Sequence, residues 1–264
     1  MKKRLLLIAC ALICLTAAII SFCQYTREPV VIGIIDTGIS TEAIPARNLR
    51  EGKNYLDPPL SPADPYGHGT AVASVIIENF PQAELVPLVS NAYADGRITQ
   101  VDNDVFAQMI VDAVDVYHFQ IINISVGLIL DKPSIRQAVA YAEEKGVLIV
   151  ASAGNDYASG GEFTYYPASY ETVLAVGSVN ADKTEIADFS QRGNWVDVYA
   201  VGEEVEVRTL SGDTRAEKGT SYSAAKVTAY AAKLLRKADL PPEQLRQKIA
   251  DRAQTLPDGT KYIP

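Results

Sequence analysis

Cysteine is missing from all but the beginning of this sequence. The three cysteines, Cys10, Cys14 and Cys23, lie in or beside the first apolar segment. The rest of the chain therefore has no disulfide framework and no thiolate metal site.

Basic residues are scarce relative to acidic ones. The 264-residue chain has 24 Lys and Arg against 32 Asp and Glu, a formal net charge of −8. Because binding of nucleic-acid phosphates requires a basic face, we expect no nucleic-acid partner. The length is enough for one α/β domain with a sizeable core and leaves little room for a second.

The first segment is the longest uncharged run in the chain. Residues 2–4 are basic and residues 5–22 carry no charge, a run of about 18 residues that is close to the length of a bilayer span. A basic start before an apolar run is typical of an export signal or a membrane anchor. We interpret residues 1–23 as a signal peptide or N-terminal membrane anchor, residues 24–29 as a linker, and residues 30–264 as a domain outside the membrane or secreted.

Beyond the linker, apolar runs alternate with segments of helical periodicity. Such alternation predicts βαβ units, so we expect a three-layer α/β domain with a mostly parallel central sheet flanked by helices. In sheets of this kind the active site lies at the carboxyl ends of the strands. Strands are predicted over residues 30–35, 85–89, 121–125, 147–151, 173–179, 196–200 and 205–210, and helices over 68–78, 102–118, 131–146, 221–236 and 242–253.

Three short motifs place reactive side chains at the ends of predicted elements. Asp36 follows the first strand in Asp-Thr-Gly, His68 opens a helix in Gly-His-Gly-Thr, and Ser221 opens another in Gly-Thr-Ser. Serine is a weak nucleophile alone, so acyl transfer needs a histidine to take its proton and an acid to orient the imidazole. We predict that Asp36, His68 and Ser221 form a catalytic triad. The other histidine, His118, is interpreted as structural.

These motifs, in the chain order Asp, His, Ser, resemble the signatures of the subtilisin-like serine peptidases, the subtilase family. The resemblance extends over roughly residues 30 to 250. It implies a subtilisin-like fold and a serine endopeptidase that hydrolyses peptide bonds through an acyl-enzyme. Asp-Thr-Gly also marks aspartic peptidases, but those need two such aspartates and this chain has one such motif.

Two further segments, residues 151–155 and residues 122–127, fit the resemblance. It implies that the side-chain amide of Asn155 donates to the developing oxyanion, together with the backbone N–H of Ser221. It also implies that the end of one strand pairs with the substrate backbone, which adds as an extra strand. The predicted substrate-binding residues are Ser125, Val126, Gly127, Ala153 and Gly154.

The main specificity pocket is expected between the segments that contain these five residues. Tyr165 or Tyr166 would narrow its base and favour a small or medium side chain. Asp156 at its rim would attract a basic one. The two observations favour different substrates, so the sequence leaves the preference open.

Several positions depart from the family pattern. The family usually has methionine at position 222 and proline at position 225, where this chain has Tyr222 and Ala225. The segment after Ile77 is too short for the loop that carries a tight calcium site in many subtilases. We therefore expect no required cofactor and no metal in the active site, and leave open a weak calcium site elsewhere.

The expected partners are a peptide or protein substrate and the membrane, the latter through the N-terminal segment. No pro-domain is expected between the apolar run and the first strand, so the domain would fold without one or with a helper protein in trans. The expected lack of a pro-domain and the small size of the chain favour dedicated processing of peptides or proteins over bulk digestion. The alternative function is a catalytically weak, peptidase-like binding or sensing module.

Overall fold

The computed structural model of the protein describes residues 29–94 and 97–264. The predicted signal peptide or anchor, residues 1–23, and most of the predicted linker lie outside these residues. Across the part of the chain that is described, no helix combines the length and apolarity needed to cross a bilayer.

One large sheet forms the centre of the domain. The strands of the described residues, in chain order, are β1 (Val31–Asp36), β2 (Lys53–Asn54), β3 (Glu84–Val89), β4 (Asn91–Ala94), β5 (Arg97–Gln100), β6 (Ile121–Ile124), β7 (Leu148–Ser152), β8 (Leu174–Val179), β9 (Val198–Val201), β10 (Val205–Arg208), β11 (Thr214–Glu217), β12 (Gln254–Thr255) and β13 (Lys261–Ile263). Nine of these strands make up the large sheet, in the order β12-β13-β9-β8-β7-β6-β1-β3-β2, and all neighbours are parallel except the pair β12 and β13.

Helices cover both faces of the sheet. The helices are α1 (His68–Asn79), α2 (Asn103–Asp115), α3 (Pro133–Glu144), α4 (Tyr157–Gly160), α5 (Thr220–Leu235) and α6 (Pro242–Arg252), with a 3-10 helix at Ala46–Asn48. One apolar core contains residues of α1, α5 and α6, and the other contains residues of α2 and α3. This arrangement confirms the predicted three-layer α/β fold.

The first strand explains why the layers form on both sides. Successive side chains of a strand point to opposite faces of its sheet. In β1, Ile32 and Ile34 join the core with α1 and α5, whereas Val31 and Ile35 join the core with α2 and α3. A strand buried on both faces is therefore apolar along most of its length, and all six residues of β1 are buried, including Asp36 at its end.

The sequence prediction missed β2, β4, β5, β11, β12 and β13, whereas β10 agrees with the strand predicted over residues 205–210. Two antiparallel hairpins, β4 with β5 and β10 with β11, lie outside the large sheet. The short strands β12 and β13 add to one edge of it through β9. The missed strands have two to four residues each, and such short segments rarely carry a hydrophobic pattern that distinguishes them from loops.

Candidate active site

Asp36 is the last residue of β1, in the middle of the large sheet. β1 is paired with β3 on one side and β6 on the other, so the Asp36 side chain emerges where three parallel strands end. It is 1% exposed. Its Oδ1 accepts a hydrogen bond from the backbone N–H of Thr37 at 2.7 Å, and its Oδ2 is buried without a hydrogen-bond partner among the described residues.

His68 is the first residue of α1, and its ring faces Asp36. Its Nδ1 lies 2.7 Å from Asp36 Oδ1. Because an ionised carboxylate can only accept hydrogen bonds, Nδ1 carries the proton and Nε2 is left with a free lone pair. The side chain of His68 is 25% exposed. The pair therefore combines a buried acid with a partly accessible base.

The charge of Asp36 determines the basicity of this imidazole. Burial lowers the pKa of His68, but the negative charge of Asp36 and the hydrogen bond to it outweigh that effect, and Asp64 and Glu217 add to it. The pKa of His68 is consequently raised above its ordinary value. A higher pKa makes the neutral ring a stronger proton acceptor.

Close packing around the pair requires a glycine after the histidine. A Cβ placed at Gly69 would lie 2.2 Å from the carbonyl oxygen of Gly38 and 3.2 Å from Asp36 Oδ1. Any side chain there would push α1 away from the end of β1. The Gly-His-Gly-Thr motif is thus a packing requirement for the contact between His68 and Asp36.

A second buried acid, Asp64, joins the loop after β1 to the start of α1, and sequence reasoning did not identify it. Its side chain accepts five hydrogen bonds of 2.8–2.9 Å. The donors are the hydroxyl groups of Thr37 and Thr70 and the backbone N–H groups of Tyr66, Gly67 and Thr70. An acidic residue four positions before His68, near a helix start, was the available signal.

Ser221 lies in the first turn of α5 and is 5% exposed. The N–H groups of a first helical turn have no acceptor within the helix, so its backbone N–H is available to a ligand. The residue after Ser221 is Tyr222, and the centroid of its ring lies 6.1 Å from the centroid of the His68 ring. The helix start thus adjoins the histidine, although no hydrogen bond joins the Ser221 hydroxyl to His68 within the described residues.

Asn155 is bonded to the residue that precedes Ser221. Its Oδ1 accepts hydrogen bonds from the backbone N–H and the hydroxyl of Thr220, both at 2.9 Å. The same hydroxyl accepts from the N–H of Gly154 at 3.1 Å. Since the amide oxygen is held in this way, the Asn155 NH₂ group remains available as a donor. Thr220 is a second residue that sequence reasoning missed.

The five predicted substrate-binding residues follow two neighbouring strands. β6 and β7 pair in parallel, with Ile124 opposite Ala151, so the segments after them leave the sheet side by side. Ala153 is buried, Gly127 is exposed, and Ser125, Val126 and Gly154 are intermediate. The structure brings these residues to the same sheet edge as Asp36.

The second histidine lies elsewhere. His118 follows α2 with a φ of 53°, and its Nδ1 lies 3.1 Å from the carbonyl oxygen of Val114. This contact supports a structural role for His118. In the described ranges, no group of three His, Cys, Asp or Glu side chains could hold a metal ion; the expectation that no cofactor is required stays a prediction.

Known proteins share extensive sequence similarity with this chain. The profile of the Subtilase family matches residues 27–262. The chain is 32% identical over 241 residues to a thermophilic serine proteinase of Bacillus sp. strain AK1, which covers 88% of this chain and 58% of that protein. It is also 32% identical over 249 residues to subtilisin BL of Lederbergia lenta, covering 90% of this chain and 88% of the relative.

A solved structure agrees with the fold. The crystal structure of a cold-adapted subtilisin-like serine proteinase superimposes with a TM-score of 0.76 at 25% identity, covering 88% of this chain and 87% of that one. The chain thus spans most of some relatives and less than two thirds of others.

Proposed function

The chain belongs to the subtilase family of serine proteases, and from this premise we propose that it is a serine endopeptidase that uses Asp36, His68 and Ser221 as a catalytic triad. The observation that carries the proposal is the 2.7 Å contact between His68 Nδ1 and Asp36 Oδ1 beside the start of α5. A buried acid that orients an imidazole next to a helix-start serine is what acyl transfer requires.

In the first step, Ser221 Oγ attacks the carbonyl carbon of the scissile peptide bond. His68 Nε2 takes the hydroxyl proton and then donates it to the leaving amine. Asp36 holds the ring through Nδ1 and stabilises the imidazolium that forms. Because Asp36 is almost fully buried, its charge is poorly screened by water and acts strongly on the ring.

The oxyanion of the tetrahedral intermediate is stabilised by two donors. One is the backbone N–H of Ser221 in the first turn of α5, where the helix dipole is positive. The other is the side-chain NH₂ of Asn155, whose orientation is supported by the two hydrogen bonds from Thr220 to its oxygen. Donors held before the charge develops cost no reorganisation during the reaction.

The substrate backbone lies along the segment that follows β6. Ser125, Val126 and Gly127 continue a sheet strand beyond its last paired residue, so an extended peptide can pair with them as an added strand. Water then attacks the acyl-enzyme, with His68 as the base again.

Action outside the cytoplasmic membrane, with a role in dedicated peptide or protein processing, is the finer part of the proposal. The support for the location is the sequence alone: a basic start followed by an uncharged run of about 18 residues. Fractionation of cells that produce the full chain tests it. Recovery of the protein in the cytosol would contradict this part and leave the proposed chemistry unaffected.

Active-site labelling of the full chain tests the chemistry. A serine-directed fluorophosphonate should label the protein, and the label should disappear in Ser221→Ala, because only an activated serine reacts with this probe. Ser159→Ala, which changes a serine on the exposed helix α4, is the matched control and should be labelled like the wild type. A protein that binds peptides yet resists the probe would favour the binding-module alternative.

A further inference from the structure

The aromatic ring of Tyr165 lies between Gly127 and Gly154. A Cβ placed at Gly127 would lie 2.9 Å from Tyr165 Cδ1, and a Cβ placed at Gly154 would lie 2.7 Å from Cδ2 and Cε2 of the same ring. Opposite edges of the ring therefore contact the two glycines. We call the space between them the Gly127–Gly154 slot. Close packing of this kind leaves no room for a further side chain beside the ring.

Hydrogen bonds at both ends hold the ring in the slot. The Tyr165 hydroxyl donates to Asp156 Oδ2 at 2.6 Å. The backbone of the next residue, Tyr166, both donates to and accepts from Leu128 at 2.8 Å, which attaches the segment carrying the ring to the chain just after Gly127. Partial burial and the hydrogen bond to Asp156 raise the pKa of Tyr165 to about 12, so the hydroxyl keeps its proton and remains a donor at neutral pH.

The slot opens beside the candidate nucleophile. The N–H of Gly154 donates to Thr220 Oγ1, and the next residue, Asn155, accepts from Thr220 as well. One wall of the slot is thus bonded to the residue that precedes Ser221. A substrate whose scissile carbonyl lies between Ser221 and Asn155 would therefore place the side chain on its acyl side near this wall.

Resting on the proposed function, we infer that Tyr165 closes the Gly127–Gly154 slot, so that the enzyme cleaves after small residues such as glycine and alanine. To admit a larger side chain, the ring would have to leave both glycines and break its hydrogen bond to Asp156. Asp156 Oδ2 already accepts that hydrogen bond. The structure therefore favours a small acyl-side residue over a basic one.

Peptide cleavage by the full chain tests the inference. The substrates share one sequence and differ only at the residue on the acyl side of the scissile bond, which is alanine, leucine, phenylalanine or lysine. The wild type should have a kcat/KM for the alanine peptide about 100-fold above that for the phenylalanine peptide, since a closed pocket rejects added volume. Equal or better cleavage after phenylalanine, leucine or lysine would overturn the inference.

Substitutions at Tyr165 sharpen this test. Tyr165→Gly empties the slot and should raise the phenylalanine-to-alanine ratio of kcat/KM by about 10–100-fold. Tyr165→Phe keeps the ring and removes only the hydroxyl, so it is the matched control and should keep the preference for alanine. An unchanged ratio in a folded Tyr165→Gly protein would refute the role of the ring.

The design separates this inference from the proposed function. If no peptide is cleaved and the fluorophosphonate does not label Ser221, the proposed function fails, and the inference fails with it. If labelling and cleavage occur without a preference for small residues, only the inference fails. Should Tyr165→Gly not fold, the wild-type preference measured on the same peptides still decides the question.

Discussion

The two halves of the candidate active site are built in different ways. In the acid–base half, Asp36 and Asp64 are 1% and 6% exposed, and Asp64 alone accepts five hydrogen bonds. In the binding half, Asn155 and Gly127 are exposed, and loop segments after β6 and β7 form the walls. The two acids of the acid–base half thus belong to the packed core, whereas most of the residues proposed to bind substrate are at least partly exposed.

The difference follows from what each half must do. A carboxylate that orients a base needs a poorly hydrated position, because water would screen its charge. Burial of such a charge is tolerated only when hydrogen bonds compensate it, and elements at the sheet centre can supply them. Substrate-contacting groups must stay accessible, so they lie on loops that a rigid sheet positions. Changes in the acid–base half should therefore affect rate and stability together, and changes in the binding half should affect rate or selectivity alone.

The largest effect is expected from Asp36→Asn. The amide keeps the size of the side chain but no longer holds the His68 tautomer or stabilises the imidazolium, and kcat should fall about 10⁴-fold, as in other triad proteases. Steady-state kinetics on the alanine peptide measure the loss, and a thermal melt verifies that the variant is folded. A fall of less than tenfold in a folded variant would contradict the role assigned to Asp36.

Asn155→Ala should have the next largest effect. Removal of an oxyanion donor is known to cost about 10²–10³-fold in kcat in a subtilisin, and we expect a loss of that order here with little change in KM. A thermal melt verifies that the variant is folded, because the change also removes the acceptor of two hydrogen bonds from the buried Thr220.

Asn155→Asp separates the two roles of this side chain. The carboxylate can still accept the hydrogen bonds from Thr220 but has no NH₂ group to donate. If Asn155→Asp retained wild-type kcat, the contacts with Thr220 would matter and the oxyanion donor would not.

Asp64→Asn should have a smaller effect that appears in both stability and pH dependence. An amide NH₂ cannot accept the hydrogen bonds that one Asp64 oxygen now receives, so we expect a loss of about 1–3 kcal/mol in the free energy of unfolding. In the proposed mechanism, activity requires neutral His68. Because the pKa of that ring is raised, the acid limb of the pH profile of kcat/KM should lie above the ordinary histidine pKa of about 6.5. Removal of the Asp64 charge lowers the pKa of His68 and should move the limb to lower pH.

A purely structural role for Asp64 would leave the position of the acid limb unchanged. Asp57→Asn, at an exposed position of the same loop, is the matched control and should alter neither stability nor the limb. A shift of equal size in Asp57→Asn would point to a general change in net charge.

The principal helices and strands could be predicted because their patterns are strong. The predicted strand over 30–35 and helix over 68–78 agree with Val31–Asp36 and His68–Asn79 within one residue at each end. Motif order was enough to identify the family. The roles of Asp36, His68, Ser221 and Asn155 in catalysis stay predictions, although the structure brings the regions that carry them to one edge of the sheet.

The residues that the prediction missed act through contacts between distant segments. Asp64 receives a hydrogen bond from Thr37, 27 residues away, and Thr220 bonds to Asn155 across 65 residues. Neither partner can be derived from local periodicity. The orientation of Tyr165 likewise depends on the chain at Gly127 and Gly154, so the sequence left Tyr165 and Asp156 as competing influences on the pocket.

The sequence by itself determined the layers, the order of the principal elements and the candidates for the reactive groups, because hydrophobic periodicity and short motifs are local properties of the chain. Only the tertiary structure decided which side chains hold those groups and what fills the Gly127–Gly154 slot. Those outcomes depend on parallel strands that end side by side, and such neighbours are set by packing of the whole sheet rather than by separation along the chain.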